Sequence, residues 1–382
     1  MKTSCAVSKF SLNVLKTLYF NSSEENVVFS PFGLYMMMNA LASSQCDEKL
    51  RAIQKILETE RRFIDQKEVN EELSIILKAL ENLSRESIFK IASVFGFISH
   101  SFEVKESFLD LLRKKFNVQT SATKFSYNFR EELSSIVSEK TGGKIEDLSF
   151  NKIDRNTDFF MVNAVYFNPD WFFPFDLEPS PRVFYNYGDE AQKVLVPMLK
   201  RKDCKMYRNL MSIKGELFEN ILIASNDNFL TFISRPEKKN LHFNCLLNSM
   251  TMFDEFFARG TWRFCIKNLI IPKLKISSEI DLGELTKELN MENFLTSTEY
   301  EFSNMLESNR NGEPLKMGVG KHFAVIEFKE YEKEIFREYD EEEHADSTIE
   351  INSPFFFYVK NRRLNIIVFA GIVRKLNSIK KR

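Results

Sequence analysis

The chain has 382 residues, 43% of them hydrophobic and 38 of them phenylalanine, which is enough to bury a large core, and no Pro/Gly/Ser-rich linker, low-complexity tract or repeat divides it. A formal net charge of -1 leaves no electrostatic footprint for nucleic acid or an acidic membrane surface, so neither is expected as a partner. The cysteines Cys5, Cys46, Cys204, Cys245 and Cys265 are odd in number and lack CxxC spacing, so no disulfide framework or zinc site is signalled and a reducing compartment is favoured.

From the N-terminus, MKTSCAVSKFSLNVLKTLYF is interrupted by Lys9, Asn13 and Lys16 where a secretory leader would be apolar. Val7, Phe10, Val14 and Leu18 repeat at helical spacing, so a core helix is predicted. No later window reaches the uninterrupted apolar length of a membrane span, and the Asn-x-Ser matches at Asn21 and Asn82 are expected to stay unglycosylated. In NVVFSPFGLYMMMNAL an apolar strand runs into Ser30 and Pro31. A serine that can cap, followed by proline at the first helical position, starts a helix whose Met-rich face reads as core. Helices are predicted over 47–57 and 70–83, a strand over 89–98, and a helix through Phe108, Leu111, Leu112 and Phe116. FFMVNAVYF reads as a buried strand with one polar interruption, Asn163; a buried strand seldom keeps an asparagine unless its amide is bonded to something specific.

Toward the C-terminus, Phe323, Val325, Ile326 and Phe328 read as a strand. The acidic run from Glu330 to Ser353 follows, and as a strand it has no apolar face to bury. After Pro354, the runs Phe355 to Val359 and Ile366 to Val373, joined by polar Lys360 to Asn365, read as a buried hairpin. A long polar insert between buried strands is uncommon in a compact domain and usually carries function, so the insert is the candidate site.

Signals for catalysis are missing. TGGKIED and GVGKHF contain Gly-Lys, but Ser138 and Leu315 stand where a phosphate loop needs its first glycine, and Ile145 and His322 where it needs a hydroxyl. There is no G-x-S-x-G or H-E-x-x-H, and His100, His242, His322 and His344 are far apart in sequence. Asp340 to Glu343 has no turn glycines and reads as a solvated face rather than a metal site. No enzymatic activity, metal or cofactor is expected.

Seven segments, in order, resemble the signatures of the serpin family: NVVFSPFGL, EKTGGKIEDL, VNAVYFNPDWFFPF, VLVPML, IIPKLKISSEIDL, VGKHFAVIEF and SPFFFYV with IIVFAG. The resemblance implies an α+β serpin fold with three β-sheets, eight or nine helices and an exposed reactive-centre loop. It places one domain over residues 1–376, with the loop at about 330–353 and a basic tail at 377–382. It implies a monomer that meets a protease or another protein through the loop. The start at the first helix without a leader resembles the intracellular clade and poxviral members, so an intracellular location is expected.

Carried over residue by residue, the resemblance places Ser30, Asn163 and His322 in the hydrogen-bonded shutter cluster under the middle of the main sheet. The second serine usual there is Gly33, so one hydroxyl partner is expected to be missing. Trp171, Lys273 and Glu330 match the breach group at the top of the sheet, with Lys273 and Glu330 as an ion pair. The family's inhibitors follow the Glu330 position with a hinge of small residues, because the cleaved loop must enter the sheet as a new central strand. Here the hinge reads Glu332, Lys333, Glu334, Ile335, Phe336, Arg337, Glu338.

As a strand, this hinge would put Lys333, Ile335, Arg337 and Tyr339 on one face and Glu332, Glu334, Phe336, Glu338 and Asp340 on the other. Burying an unpaired Lys or Arg costs several kcal/mol. A weak or non-inhibitory protein is therefore expected, acting as a substrate-like decoy or partner-binding scaffold. The alternative is a suicide inhibitor of aspartate-directed proteases such as caspases or granzyme B. Counting from Glu330 puts Asp346 before the scissile bond to Ser347; counting back from Pro354 puts the bond nearer Glu343. The uncut loop is expected to be partly helical over about 332–342, since Tyr331, Ile335 and Tyr339 repeat every fourth residue and Arg337 with Glu341 is an i,i+4 pair of opposite charge.

Overall fold

The N-terminal stretch forms α1 (Lys2–Asn21), and β1 (Val27–Phe29) then runs into α2 (Pro31–Ala42). Ser30 is extended, and its Oγ accepts from the Gly33 amide at 3.1 Å, while Pro31 gives up no needed donor, so the helix starts at the predicted place. Every residue of α2 is buried, the three methionines included. Next come α3 (Asp47–Ile56) and α4 (Gln66–Leu83). The latter begins ahead of the predicted Asn70 because the Asp65 carboxylate caps it, accepting from the Glu68 amide at 2.8 Å.

The chain continues through β2 (Phe89–Phe97), β3 (Phe102–Val104), α5 (Glu106–Phe116), β4 (Val118–Ala122), α6 (Phe129–Thr141) and β5 (Phe159–Phe167). The helix α6 has only a weak apolar stripe, yet buries Leu133 and Val137, and it ends where Gly142 and Gly143 adopt positive φ of 64° and 72°. Then follow β6 (Asp176–Leu177), β7 (Arg182–Tyr185), β8 (Lys193–Val196), β9 (Met198–Ile213), β10 (Glu216–Ala224), β11 (Phe229–Pro236) and α7 (Asn244–Ser249). The last group is β12 (Arg263–Pro272), β13 (Leu274–Asp281), α8 (Leu282–Glu288), β14 (Leu306–Asn309), β15 (Met317–Phe328), β16 (Thr348–Glu350), β17 (Phe355–Asn361) and β18 (Ile366–Val373). The structure is a computed structural model that describes all residues except 1, 23–24, 46, 61, 63–64, 84–88, 98–101, 123–128, 147, 149–156, 241, 254–260, 291–301, 303, 310–316, 331–346 and 379–382. Among the described residues no helix is long and apolar enough to cross a membrane.

Contacts divide the chain into two compact units. The first comprises 1–17, 29–167 and 277–325. Its main sheet has five strands in the order β13-β15-β5-β2-β4, so β15 and β5 are hydrogen-bonded directly to each other. In β2 and β5, which run antiparallel, Ser93 stands opposite Asn163. The core on this sheet gathers Ala92 and Val94, Phe160 and Val162, Val319 and Phe323 under Leu133 and Val137 of α6. The β15 strand is buried on both faces from Phe323 to Ile326, which explains its nearly continuous apolar run.

The second unit comprises 18–28, 168–276 and 326–382. Its nine-stranded sheet runs β1-β18-β17-β11-β10-β9-β12-β16, with β6 also on β9. The predicted hairpin is present: β17 and β18 pair antiparallel, the Leu364 amide bonds to Asn361 Oδ1 at 3.0 Å, and Asn365 takes φ 58° in the turn. The short ribbons β14-β3 and β7-β8 complete the α+β architecture expected from the sequence.

Candidate functional site

In the first unit, Ser30, Asn163, His322 and Ser93 meet in one hydrogen-bonded cluster. The Ser30 amide donates to His322 Nε2 at 3.0 Å. That bond makes Nε2 the acceptor, so the proton sits on Nδ1, which donates to Asn163 Oδ1 at 2.8 Å. The Asn163 amide in turn donates to Ser93 Oγ at 2.9 Å. One hydrogen-bonded chain thus links the start of α2 to β15, β5 and β2. His322 is fully buried, and burial lowers its pKa to about 3, so it is a neutral latch at physiological pH. Gly33 brings no hydroxyl to the cluster, as expected; Ser93 brings one from β2, and its signal in the sequence is a polar interruption of a buried strand, KIASVFGF, like that of Asn163.

Lys321, beside His322, was also not singled out by the sequence. Its ammonium bridges Glu279 at 2.7 Å and Asp281 at 2.9 Å on β13. Burial disfavours its charge, but the two carboxylates outweigh that and raise its pKa.

In the second unit, Lys273, Glu330 and Trp171 occupy the region where the candidate loop leaves β15. Lys273 Nζ lies 2.6 Å from Glu330 Oε1. Burial works against the Glu330 charge, but the Lys273 hydrogen bond, its own backbone amide and the charges of Lys273 and Lys329 together outweigh it and hold the carboxyl below the usual range. Trp171 is buried, edge to face with Phe175 at 5.3 Å and with Phe328 at 5.5 Å, and it bridges to Ser225. The far end of the loop is anchored as well. Lys267 Nζ donates to Ser347 Oγ, the Asn268 amide donates to the Ser347 carbonyl at 3.3 Å, and β16 then pairs parallel with β12, Ile349 opposite Leu269.

Between these anchors, the hinge from Glu332 to Glu338, the expected loop helix, the acidic run Asp340 to Glu343 and Asp346 lie outside the described residues. Ser347, described, is exposed. Burial pushes the Cys204 thiol up to about 12 and also raises Cys245 and Cys265, which disfavours the thiolate form at these three positions.

The fold agrees with a sequence comparison in which the family model Serpin (serine protease inhibitor) matches residues 5–376. The chain belongs to the serpin family. Plasminogen activator inhibitor 1 of Neovison vison is 23% identical to it over 371 residues, covering 95% of this chain and 90% of that protein. Neuroserpin of Homo sapiens is 24% identical over 393 residues, covering 96% and 90%. Among solved structures, native protease nexin-1 with heparin superposes with a TM-score of 0.84 at 17% identity over 98% of this chain and 99% of that one. The mouse protein-Z dependent protease inhibitor also gives 0.84, at 22% identity over 98% and 97%. These two likenesses establish the shared fold.

Proposed function

We propose that this serpin presents the loop at 330–353 to a protease or another protein partner inside the cell, and acts as a substrate-like decoy or scaffold rather than a covalent trap. The observation that carries this reading is the hinge sequence Glu332-Lys333-Glu334-Ile335-Phe336-Arg337-Glu338. A trap must part β15 from β5, which are bonded directly and latched by His322 and Asn163, and then bury that hinge between them. Either face of the hinge brings charges with it, at several kcal/mol for each unpaired one. In this reading the Ser30-His322-Asn163-Ser93 chain is the shutter that resists parting, and Trp171, Lys273 and Glu330 form the breach where insertion would begin. Mixing the purified protein with trypsin, elastase, granzyme B and caspases should yield loop-cleaved protein on a denaturing gel without a covalent one-to-one complex. A denaturant-resistant complex with any of them would falsify the proposal.

One observation favours a second reading, an aspartate-directed bait at Asp346: the next residue, Ser347, is exposed and held by Lys267 at the start of β16. In that case Asp346→Ala should abolish cleavage by granzyme B and caspases, whose pockets are built for a carboxylate and reject its neutral analogue. Undiminished cleavage of the variant would remove this reading.

A further inference from the structure

A cavity of about 250 Å³ opens in the second unit between the last turn of α1, the turn after β7, the start of α7 and the open end of the β17–β18 hairpin. One wall is cationic. Arg374, the residue after β18, is 7% exposed, and its guanidinium lies over the Tyr19 ring at 4.2 Å. It donates to the carbonyls of Tyr19 at 3.0 Å, Glu25 at 3.2 Å and Ser22. Those carbonyls orient the guanidinium but carry no net charge. The Glu25 carboxylate is taken by Lys375 at 2.5 Å, and among the described residues no carboxylate pairs with Arg374. A buried charge is ordinarily matched by an opposite one.

The other walls are aromatic and fixed in place. The Tyr19 hydroxyl accepts from the Phe243 amide at 3.1 Å, and Phe20, 47% exposed, stands edge to face with Tyr19 at 5.3 Å. Tyr187 takes φ 56° and ψ 11°, a region that bulky side chains rarely adopt, and its amide is held by the Arg374 carbonyl at 2.7 Å. Asn26 Oδ1 accepts from the amides of Arg374 at 2.7 Å and Lys375 at 3.0 Å, and Asn186 Oδ1 accepts from the Leu376 amide at 2.8 Å. The backbone that carries Arg374 is thus locked on both sides, as a preformed ligand site requires.

We infer that this cavity binds a small aromatic carboxylate, one or two rings bearing a single anionic group. The carboxylate answers the Arg374 charge, and the rings lie among Tyr19, Phe20, Tyr187 and Pro354. His242 and Asn244, exposed side chains that also line the cavity, leave a polar rim toward solvent. The volume lies below the range of about 300–1,000 Å³ that holds drug-sized ligands, so the compound is small. An inorganic anion would leave three aromatic rings without a contact, and one cation makes no track for a polyanion. The site shares no residue with the loop anchors or the His322 cluster, and it stands whether or not a protease meets the loop.

The test is isothermal titration of the full chain with 1-naphthoate, with its uncharged analogue 1-naphthalenemethanol, and with inorganic phosphate. The naphthoate should bind one per chain with a Kd of ~1 mM or tighter, and the uncharged analogue about tenfold or more weakly. Phosphate at the same concentrations should not displace it. Two variants at exposed positions, Asn244→Trp to fill the cavity and Phe20→Ser to remove a wall, are first checked for an unchanged melting curve. Each should weaken naphthoate binding about tenfold or more; if one of them melts early, the other decides. Arg374→Lys, which keeps the charge but not the planar fork, should narrow the difference between naphthoate and its uncharged analogue. Absence of saturable naphthoate binding, equal affinity for the uncharged analogue, displacement by phosphate, or binding unchanged in the folded variants would each overturn the inference.

Discussion

A Cβ built on Gly33 would stand 2.6 Å from Val165 Cγ2 and 2.7 Å from Asn163 Oδ1, so the serine usual in this family has no room at that position. The hydroxyl that bonds the Asn163 amide comes from Ser93 on β2. Restoring the family's residue should therefore destabilise: Gly33→Ser should lower stability by about 1–3 kcal/mol, the usual cost of overpacking, seen as a lower urea midpoint. An unchanged midpoint would mean that Asn163 and Val165 yield without penalty. His322 makes a second prediction at this scale. Its folded pKa of about 3 lies well below the unfolded value near 6.5. Between those values the unfolded chain binds the proton and the folded one does not, so the stabilisation is present above pH 6.5 and is lost as the pH falls toward 3. The slope is at most about 1.4 kcal/mol per pH unit. His322→Gln should flatten that slope between pH 6 and pH 4 and cost about 1–3 kcal/mol at pH 7, because the Ser30 amide and Asn163 Oδ1 lose a matched partner. Parallel pH profiles for the two proteins would rule out His322 as the source.

At the scale of elements, β15 is held from two sides. Lys321 clamps it to β13 through Glu279 and Asp281, and His322 ties it to β5 through Asn163. Its far end is marked by a weaker contact. Lys273 and Glu330 are 36% and 29% exposed in their side chains, and solvent screens such pairs. A double-mutant cycle of Lys273→Met and Glu330→Gln should give a coupling of about 1 kcal/mol or less, falling with added salt. A coupling several times larger would show that the pair is effectively desolvated. The elements themselves were largely legible, since Ser30-Pro31 announced α2 and the two β-branched and aromatic runs announced β17 and β18. The start of α4 was not, because Asp65 caps it from outside the apolar stripe, and α6 was not, because its buried residues are too few to give a clear period.

At the scale of the whole molecule, the five-stranded sheet is already closed at the position where an inhibitory loop would enter, and the segment that would enter is charged. Cutting the protein between Asp340 and Ser347 should leave its melting temperature nearly unchanged. A rise of tens of degrees would show that the strand inserts and that the desolvation cost is met elsewhere. Family membership and fold were legible in seven ordered segments, and the character of the hinge is a matter of residue type alone. Apolar period, capping residues and charge are local properties, and a chain displays them before it folds. Which hydroxyl completes the His322 chain, which carboxylates clamp Lys321, and which rings pack on Trp171 were decided only by the tertiary structure. Ser93 and Asn163 are 70 residues apart and Asn163 and His322 are 159 apart, and strand register alone brings such partners within hydrogen-bonding distance.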